Sequence, residues 1–358
     1  MTDLASSWAN AGAVLTVHRW VTVIGSLLLA CMVVLMLCLQ FGATSVGVET
    51  VATAIAHMVR GIEADSTSLG TSEIIMVQIR FPRVLMGFLV GASLAAVGVT
   101  LQALLRNPLA DPYVLGVSSG SALGVSVGIL FGIGSTLMLL PMLPLFGFGG
   151  GLLALLLIYR LAQSKGRLPI HSLLLAGVIL NAILTAFIMF ITSIMEPNRS
   201  AGLMAWLMGS LTAPNYPALG IFLLYVVFVL VILMHKAQSL NMLTLGEETA
   251  RSLGVETEGI KKQLFALTAL LTGAIVSVSG MIGFVGMVVP HAVRLVIGSD
   301  HRLLLPASAL VGGMFLAVAD TIARTIMAPA EIPVGIVTAL TGGPFFLYLL
   351  LWRKDRML

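Results

Sequence analysis

Apolar positions in this chain run on without interruption instead of alternating, and the length of each run sets the elements. Residues 21–39 carry no charge, and as a helix these 19 residues extend about 28 Å, close to the thickness of a bilayer's hydrocarbon. Comparable runs lie near 83–105, 114–133, 137–159, 170–194 and 216–234. The stretch 264–293 holds 30 residues without a charge, about 45 Å of helix, too long for one crossing and too short for two. Gly280, Gly283, Gly286 and Pro290 gather in its second half, so it predicts a full helix near 263–281 and a short one near 284–297. Two further runs, 303–327 and 332–352, bring the total to ten.

Composition agrees with this reading. Of 358 residues, 58% are hydrophobic and 9% charged, against about 25% charged in a soluble domain. The expectation is an all-α integral membrane protein of ten transmembrane helices, a single domain over 1–358 led by a polar tail, 1–16. No small-residue cleavage site follows the first run, which reads as a retained helix. Cys31 and Cys38 lie on it about 10 Å apart, too far for a disulfide. With both termini in the cytoplasm, the inner ends hold 14 of the 19 lysines and arginines, as the positive-inside rule asks. The outer ends hold Arg60, Arg80, Arg83, Arg199 and Arg324.

A shift of 182 residues brings "GASLAAVG" (91–98) onto "GAIVSVSG" (273–280), Pro108 onto Pro290 and Gly116 onto Gly298. In a ten-helix count, helix 2 then runs inward and helix 7 outward. Helices 2–5 and 7–10 are thus expected to form an inverted internal repeat, an arrangement common in transporters. The polar break "LLRNPLADPYVLG" (104–116) after helix 2 is the counterpart of the glycine-rich break after helix 7.

Several chemistries lack their residues. None of the five lysines precedes Ser or Thr, so no Walker A loop is present. The six histidines are scattered, with no metal-ligand spacing, and no catalytic constellation suggests an intramembrane enzyme. Asp320 is the one firm carboxylate candidate inside a span, and Arg324 four residues on makes a local ion pair near the outer surface the simpler reading. Polarity concentrates instead in "NMLTLGEETARSLGVETEGIKK" (241–262), long for a connection and helical in period. Ala250 and Leu253 are expected on one face of a short helix and the charges on the other, as in a docking element for a cytoplasmic partner.

Three segments together carry a resemblance: "IRFPRVLMGFLVGASLAAVGVTLQALLRNPLADPYVLGVSSG", "LTLGEETARSLG" and "GFVGMVVPHAVRLVIGSDHRLLLPASALVGG". With "ADTIAR" and "EIPVGIVTALTGGPFF" they resemble the permease subunits of type II ABC importers, which carry cobalamin, ferric siderophores and haem. The resemblance implies a homodimer in a bacterial inner membrane, two cytoplasmic ABC ATPase subunits and one periplasmic substrate-binding protein. ATP and Mg would be handled by the ATPase, with no cofactor on this chain and no nucleic acid partner. It also implies residue roles. Leu245, Gly246, Glu247, Glu248, Ala250, Arg251, Leu253 and Gly254 would form the coupling helix. Asn107, Pro108 and Leu109 would form an inner gate, with a second constriction at Ile170 and His171. Arg80, Arg83 and Arg324 would hold glutamates of the binding protein, so that Arg80→Glu would impair docking while assembly survives. His171 stands where small hydroxyl residues are associated with the cobalamin member. An ion-gradient-driven carrier working alone shares the inverted repeat, but has no need of the 241–262 segment and would want a titratable group at mid-membrane.

Overall fold

The computed structural model describes residues 15–42, 70–133, 136–137, 140–164 and 166–354, with isolated positions from 47 to 53. Most of the polar tail expected over 1–16, and Arg60, lie outside the described residues. In chain order the helices are α1 (Val17–Gln40), α2 (Ser72–Leu104), α3 (Val117–Leu130), α4 (Met142–Ala162), α5 (Ile170–Ile194) and α6 (Pro197–Leu207). After them come α7 (Tyr216–His235), α8 (Ala237–Thr244), α9 (Glu247–Ser252), α10 (Thr257–Ser279), α11 (Val285–Ile297), α12 (His301–Thr325) and α13 (Val334–Lys354). Among the described residues seven helices are long and apolar enough to cross a membrane, and the apolar helices α3, α11 and α13 complete the predicted ten. Strand structure among them is limited to a two-residue pair, Thr136–Leu137 with Leu140–Pro141.

The halves α2–α5 and α10–α13 repeat one order: a long helix, a short one of 14 or 13 residues, then two long ones. Arg106, just past the end of α2, lies beside Gly246 of the polar segment, and α10 starts at that same end, where Thr257 Oγ1 accepts from Arg251 Nε at 2.9 Å. One half therefore runs toward the segment and the other away from it: the repeat is inverted. The uniform shift of 182 does not survive, because the break after α2 takes 105–116 while that after α10 takes only 280–284. Pro108 accordingly sits in a turn and Pro290 inside α11. Gly116 and Gly298 still share positive φ, 77° and 96°.

Both described termini lie at the end that holds 241–262. Arg19 of α1 donates to the Ile297 carbonyl at 2.9 Å. At the opposite end Ile332 N donates to Ala323 O at 3.1 Å, and α13 then runs 21 residues back, about 31 Å.

α2 is the central helix, almost wholly buried, whereas α1 keeps most of its surface outward. Lipid offers apolar side chains nothing to escape from, so helices here associate through close packing. Gly91 of α2 meets Gly312 of α12, and Gly98 meets Gly286 of α11; a Cβ at either would collide with a backbone carbonyl.

Prolines release carbonyls, and side chains from other helices take them up. Pro306 cannot donate to Arg302 O, which accepts from Trp20 Nε1 of α1 at 3.1 Å. Pro290 frees Gly286 O, which accepts from Gln102 Nε2 of α2 at 3.4 Å, shared with Met287 O at 3.3 Å. Before Pro82, α2 passes through a π turn, Met76–Arg80, in which Phe81 N bonds Met76 O. In that register Pro82 leaves Val77 O free, and Tyr216 Oη donates to it.

Candidate functional site

The polar segment folds as a short lever. Gly246 has φ 112° and ψ 152°, a region open to glycine alone, and starts α9; Gly254, at φ 86°, follows its end. Ala250 is fully buried, but Leu253 is 57% exposed, and Leu245 is exposed as well. This corrects the expected common face of Ala250 and Leu253: the helix stops at Ser252, so Leu253 leaves the helical period and projects outward beside the charges.

Beneath α9 sits Lys261 of α10, its side chain 3% exposed. Its Nζ reaches Glu258 Oε1 at 2.7 Å, Glu247 Oε2 at 3.0 Å and the Leu168 carbonyl at 3.3 Å. Glu258 Oε2 in turn accepts from Leu168 N at 3.0 Å. These bonds tie the lever to α10 and to the loop that opens α5, where Ile170 and His171 stand.

The polar break after α2 is a rigid turn. Arg106 takes a left-handed φ of 48°, Asn107 N returns to Gln102 O at 3.1 Å, and Asn107 Oδ1 accepts from Leu109 N at 2.9 Å. Leu109 projects outward, exposed. Asp111 Oδ1 then accepts from Tyr113 N at 2.9 Å, starting a 3-10 turn, Pro112–Leu115. Burial pushes the Asp111 carboxyl up to about 6, against the pull of that N–H.

A cavity of about 630 Å³ collects Arg106, Ile170, His171, Leu245, Gly246 and Glu247. Residues assigned separately to the second constriction and the lever thus line one cavity, with Arg106, which precedes the expected inner gate, beside them. Asn107 and Pro108 line a neighbouring cavity of about 350 Å³ on the other side of Arg106. Among the described residues no three His, Cys, Asp or Glu side chains come together as a metal site would require.

At the opposite end, Asp320 is buried between two guanidinium groups: Arg324 Nε at 2.9 Å and Arg83 Nη2 at 3.1 Å. The expected Asp320–Arg324 pair is therefore part of a larger cluster, and Arg83 also reaches Glu331 at 2.9 Å. Arg80 is buried and donates to Leu39 O and Gln40 O at the end of α1, at 3.1 and 3.3 Å. In this structure Arg80 and Arg324 point inward, not to the surface. The expectation that Arg80→Glu leaves assembly untouched has to be corrected, since a carboxylate there would face two carbonyls and loosen α1.

The model of the FecCD transport family matches residues 27–352. The chain belongs to the FecCD transport family. Its relatives include the cobalamin import system permease protein BtuC of Halobacterium salinarum, 44% identical over 80% of this chain and 76% of that one. The hemin transport system permease protein HmuU of Yersinia pestis is 42% identical, covering 79% and 84%. Among solved structures, a metal-chelate type ABC transporter in an inward-facing conformation matches 93% of this chain and 99% of its own, with a TM-score of 0.78 and 30% identity. This FecCD-family chain is a multi-pass membrane permease of the type II ABC importer class.

Reading the residues alone missed Lys261 and Glu258 as the anchor of the polar segment, Gln102 and Arg294 beside the turn at 105–111, and Glu331 at the far end. Pro290 was the available signal for Gln102, because a proline inside a helix announces a carbonyl that needs a donor. The local signal for Lys261 is Glu258, three residues earlier on α10; its other partners, Glu247 and the Leu168 carbonyl, come from α9 and from the loop before α5.

Proposed function

We propose that this permease moves a bulky iron complex, ferric siderophore or haem, or cobalamin, into the cytoplasm, driven by ATP hydrolysed on a separate subunit. Two copies would enclose the pathway, two ABC ATPases would hold the levers from the cytoplasm, and one binding protein would deliver cargo outside. The observation that carries this reading is the shared cavity, where the expected second constriction, Ile170 and His171, meets lever residues across bonds made by Lys261 and Glu258. Exposed Leu245 and Leu253 offer an apolar grip on a charged segment. A push on them moves Glu247, and through Lys261 and Leu168 it moves the start of α5, a rigid-body route from partner to constriction.

Charge supports a cytoplasmic placement of the lever end: Arg19, Arg106, Lys236, Arg251, Lys261, Arg294 and Arg302 all cluster there. At the outer end, a glutamate of the binding protein would compete with Glu331, an exposed acid, for Arg83. The relatives' names span cobalamin and hemin, so cargo class is drawn from what these ligands share: large size and a metal chelate.

The test is reconstitution of the chain with its ATPase and binding protein in vesicles. Uptake of labelled ferric siderophore, haem or cobalamin should require ATP and stop when α9 is deleted. Uptake that follows a proton gradient without the ATPase would overturn the reading in favour of a carrier working alone.

A further inference from the structure

Beside the gate turn, on the side away from the lever, the cavity of about 350 Å³ has an unusual charge pattern. Its lining includes Arg106, Arg294 and His301, and among the described residues it includes no aspartate or glutamate. Elsewhere Arg83, Arg251, Arg302, Arg324 and Lys261 all meet a carboxylate. Among the described residues Arg294 meets only the neutral amide of Gln102, donating to Oε1 at 2.9 Å. That amide is itself fixed by the Gly286 and Met287 carbonyls beside Pro290, so Arg294 is held in place with most of its N–H donors unused. Arg106 bonds no described residue through its side chain.

His301 adds chemical detail. Asn241 Nδ2 donates to Asp300 Oδ1 at 2.9 Å, so Asn241 Oδ1 is the acceptor on the other side. It accepts from both the backbone N–H of His301, at 2.8 Å, and the ring Nδ1, at 2.7 Å. The proton of the neutral ring is therefore on Nδ1, and Nε2 carries a lone pair. That Nε2 is buried in a side chain 3% exposed and has no partner. The cavity thus asks for negative oxygens, to satisfy two guanidinium groups, and it borders the residue whose buried Nε2 lacks a donor. Carboxylate and sulfate supply only the first at neutral pH. Phosphate in its protonated forms supplies both.

We infer that this cavity binds a phosphate group that retains an acidic proton, with Arg106 and Arg294 on its anionic oxygens and His301 Nε2 accepting its O–H. Inorganic phosphate, a soluble phosphate monoester and the monoester headgroup of phosphatidic acid share that chemistry. Since Arg106 directly precedes Asn107, Pro108 and Leu109, a bound phosphate ties the gate turn to α11.

The test uses the full-length chain in phosphatidylcholine nanodiscs and equilibrium dialysis with labelled inorganic phosphate at neutral pH. Binding should saturate, and sulfate should compete at least about tenfold more weakly. Arg106→Gln, at an exposed side chain with no bonds to lose, and Arg294→Gln should each weaken binding by about tenfold or more, with melting temperature checked alongside. Amides of 107–111 should exchange more slowly when phosphate is present. Displacement of the label by phosphatidic acid in the discs assigns the site to lipid; retention assigns it to soluble phosphate. Absence of saturable binding, equal competition by sulfate, or unchanged binding in Arg106→Gln overturns the inference.

Discussion

Lys261 gives the sharpest test of how the lever is attached. Replacing it with Met keeps the stem and removes the ammonium, leaving Glu247, Glu258 and the Leu168 carbonyl without their shared donor. Breaking a buried ion pair from one side costs about 3–5 kcal/mol. Here the two carboxylates keep 28% and 20% of their side-chain surface, so water recovers part of that, and about 2–3 kcal/mol is the expected loss. Glu258→Gln should cost less, about 1–2 kcal/mol, because Lys261 retains Glu247 and the amide can still meet Leu168 N. In the double variant the lysine's loss no longer strands a charge at 258, so the single effects should fail to add by about 1–2 kcal/mol. Unfolding of the purified permease in graded SDS, run on all four proteins, measures this coupling. In vesicles, Lys261→Met should also lower uptake more than it lowers binding of the ATPase, since Leu245 and Leu253 remain exposed for docking. A coupling energy under about 0.5 kcal/mol would show that the lysine is merely solvated and that the lever is held some other way.

Three further outcomes follow from particular contacts. Gly98→Val should cost more than the usual 1–3 kcal/mol of overpacking and lower the yield of folded protein, because its Cβ meets the Gly286 carbonyl; Gly149→Val, with open space around it, is the control. Glu331→Gln should release Arg83 from its exposed partner, which is 55% accessible, and tighten docking of the binding protein by roughly 3- to 10-fold at low salt, read by surface plasmon resonance and fading as salt rises. Asp111→Asn should flatten one part of the pH dependence of stability. The Asp111 carboxyl titrates near 6 when folded, above its ordinary 3.8, so the stability it contributes is full below about 4 and is lost as pH rises to about 6. Asn keeps the bond to Tyr113 N, and melting curves from pH 4 to 7 should lose a slope worth about 1–3 kcal/mol; identical slopes in both proteins would refute the burial of that carboxyl.

Element count was readable from the chain because lipid requires each crossing to be a continuous apolar helix, and run length alone then separates full from short helices. The 264–293 stretch is the clearest case: its excess length and its glycines marked the division that the structure places between Ser279 and Val285. Register between the halves was less readable. A break of 12 residues on one side and 5 on the other cannot be seen from matched glycines, which are too frequent in packed helices to fix an alignment. Arg80 and Arg324 show a further limit. An arginine at a helix end reads as a surface anchor, yet Arg80 turns to the end of α1, remote in sequence, and the Asp320 that holds Arg324 from one turn away is shared with the equally remote Arg83.

The internal prolines narrow that limit, because each one names the acceptor it leaves unsatisfied. A carbonyl that has lost its helical donor is costly to leave unpaired, most of all away from water, so a donor from another helix is expected to approach it. Pro306 points to Arg302 O and finds Trp20; Pro290 points to Gly286 O and finds Gln102. The first contact fixes α1, a helix with little other burial, against α12. The second places an amide where it can orient Arg294 toward the cavity lined by Asn107 and Pro108. A backbone defect written into the sequence thus becomes the means by which a cation is positioned at the inner mouth. Gln102→Leu should therefore weaken phosphate binding at that cavity even though position 102 is buried against α11, while Gln102→Glu, which turns the neutral partner of Arg294 into a carboxylate, should abolish it.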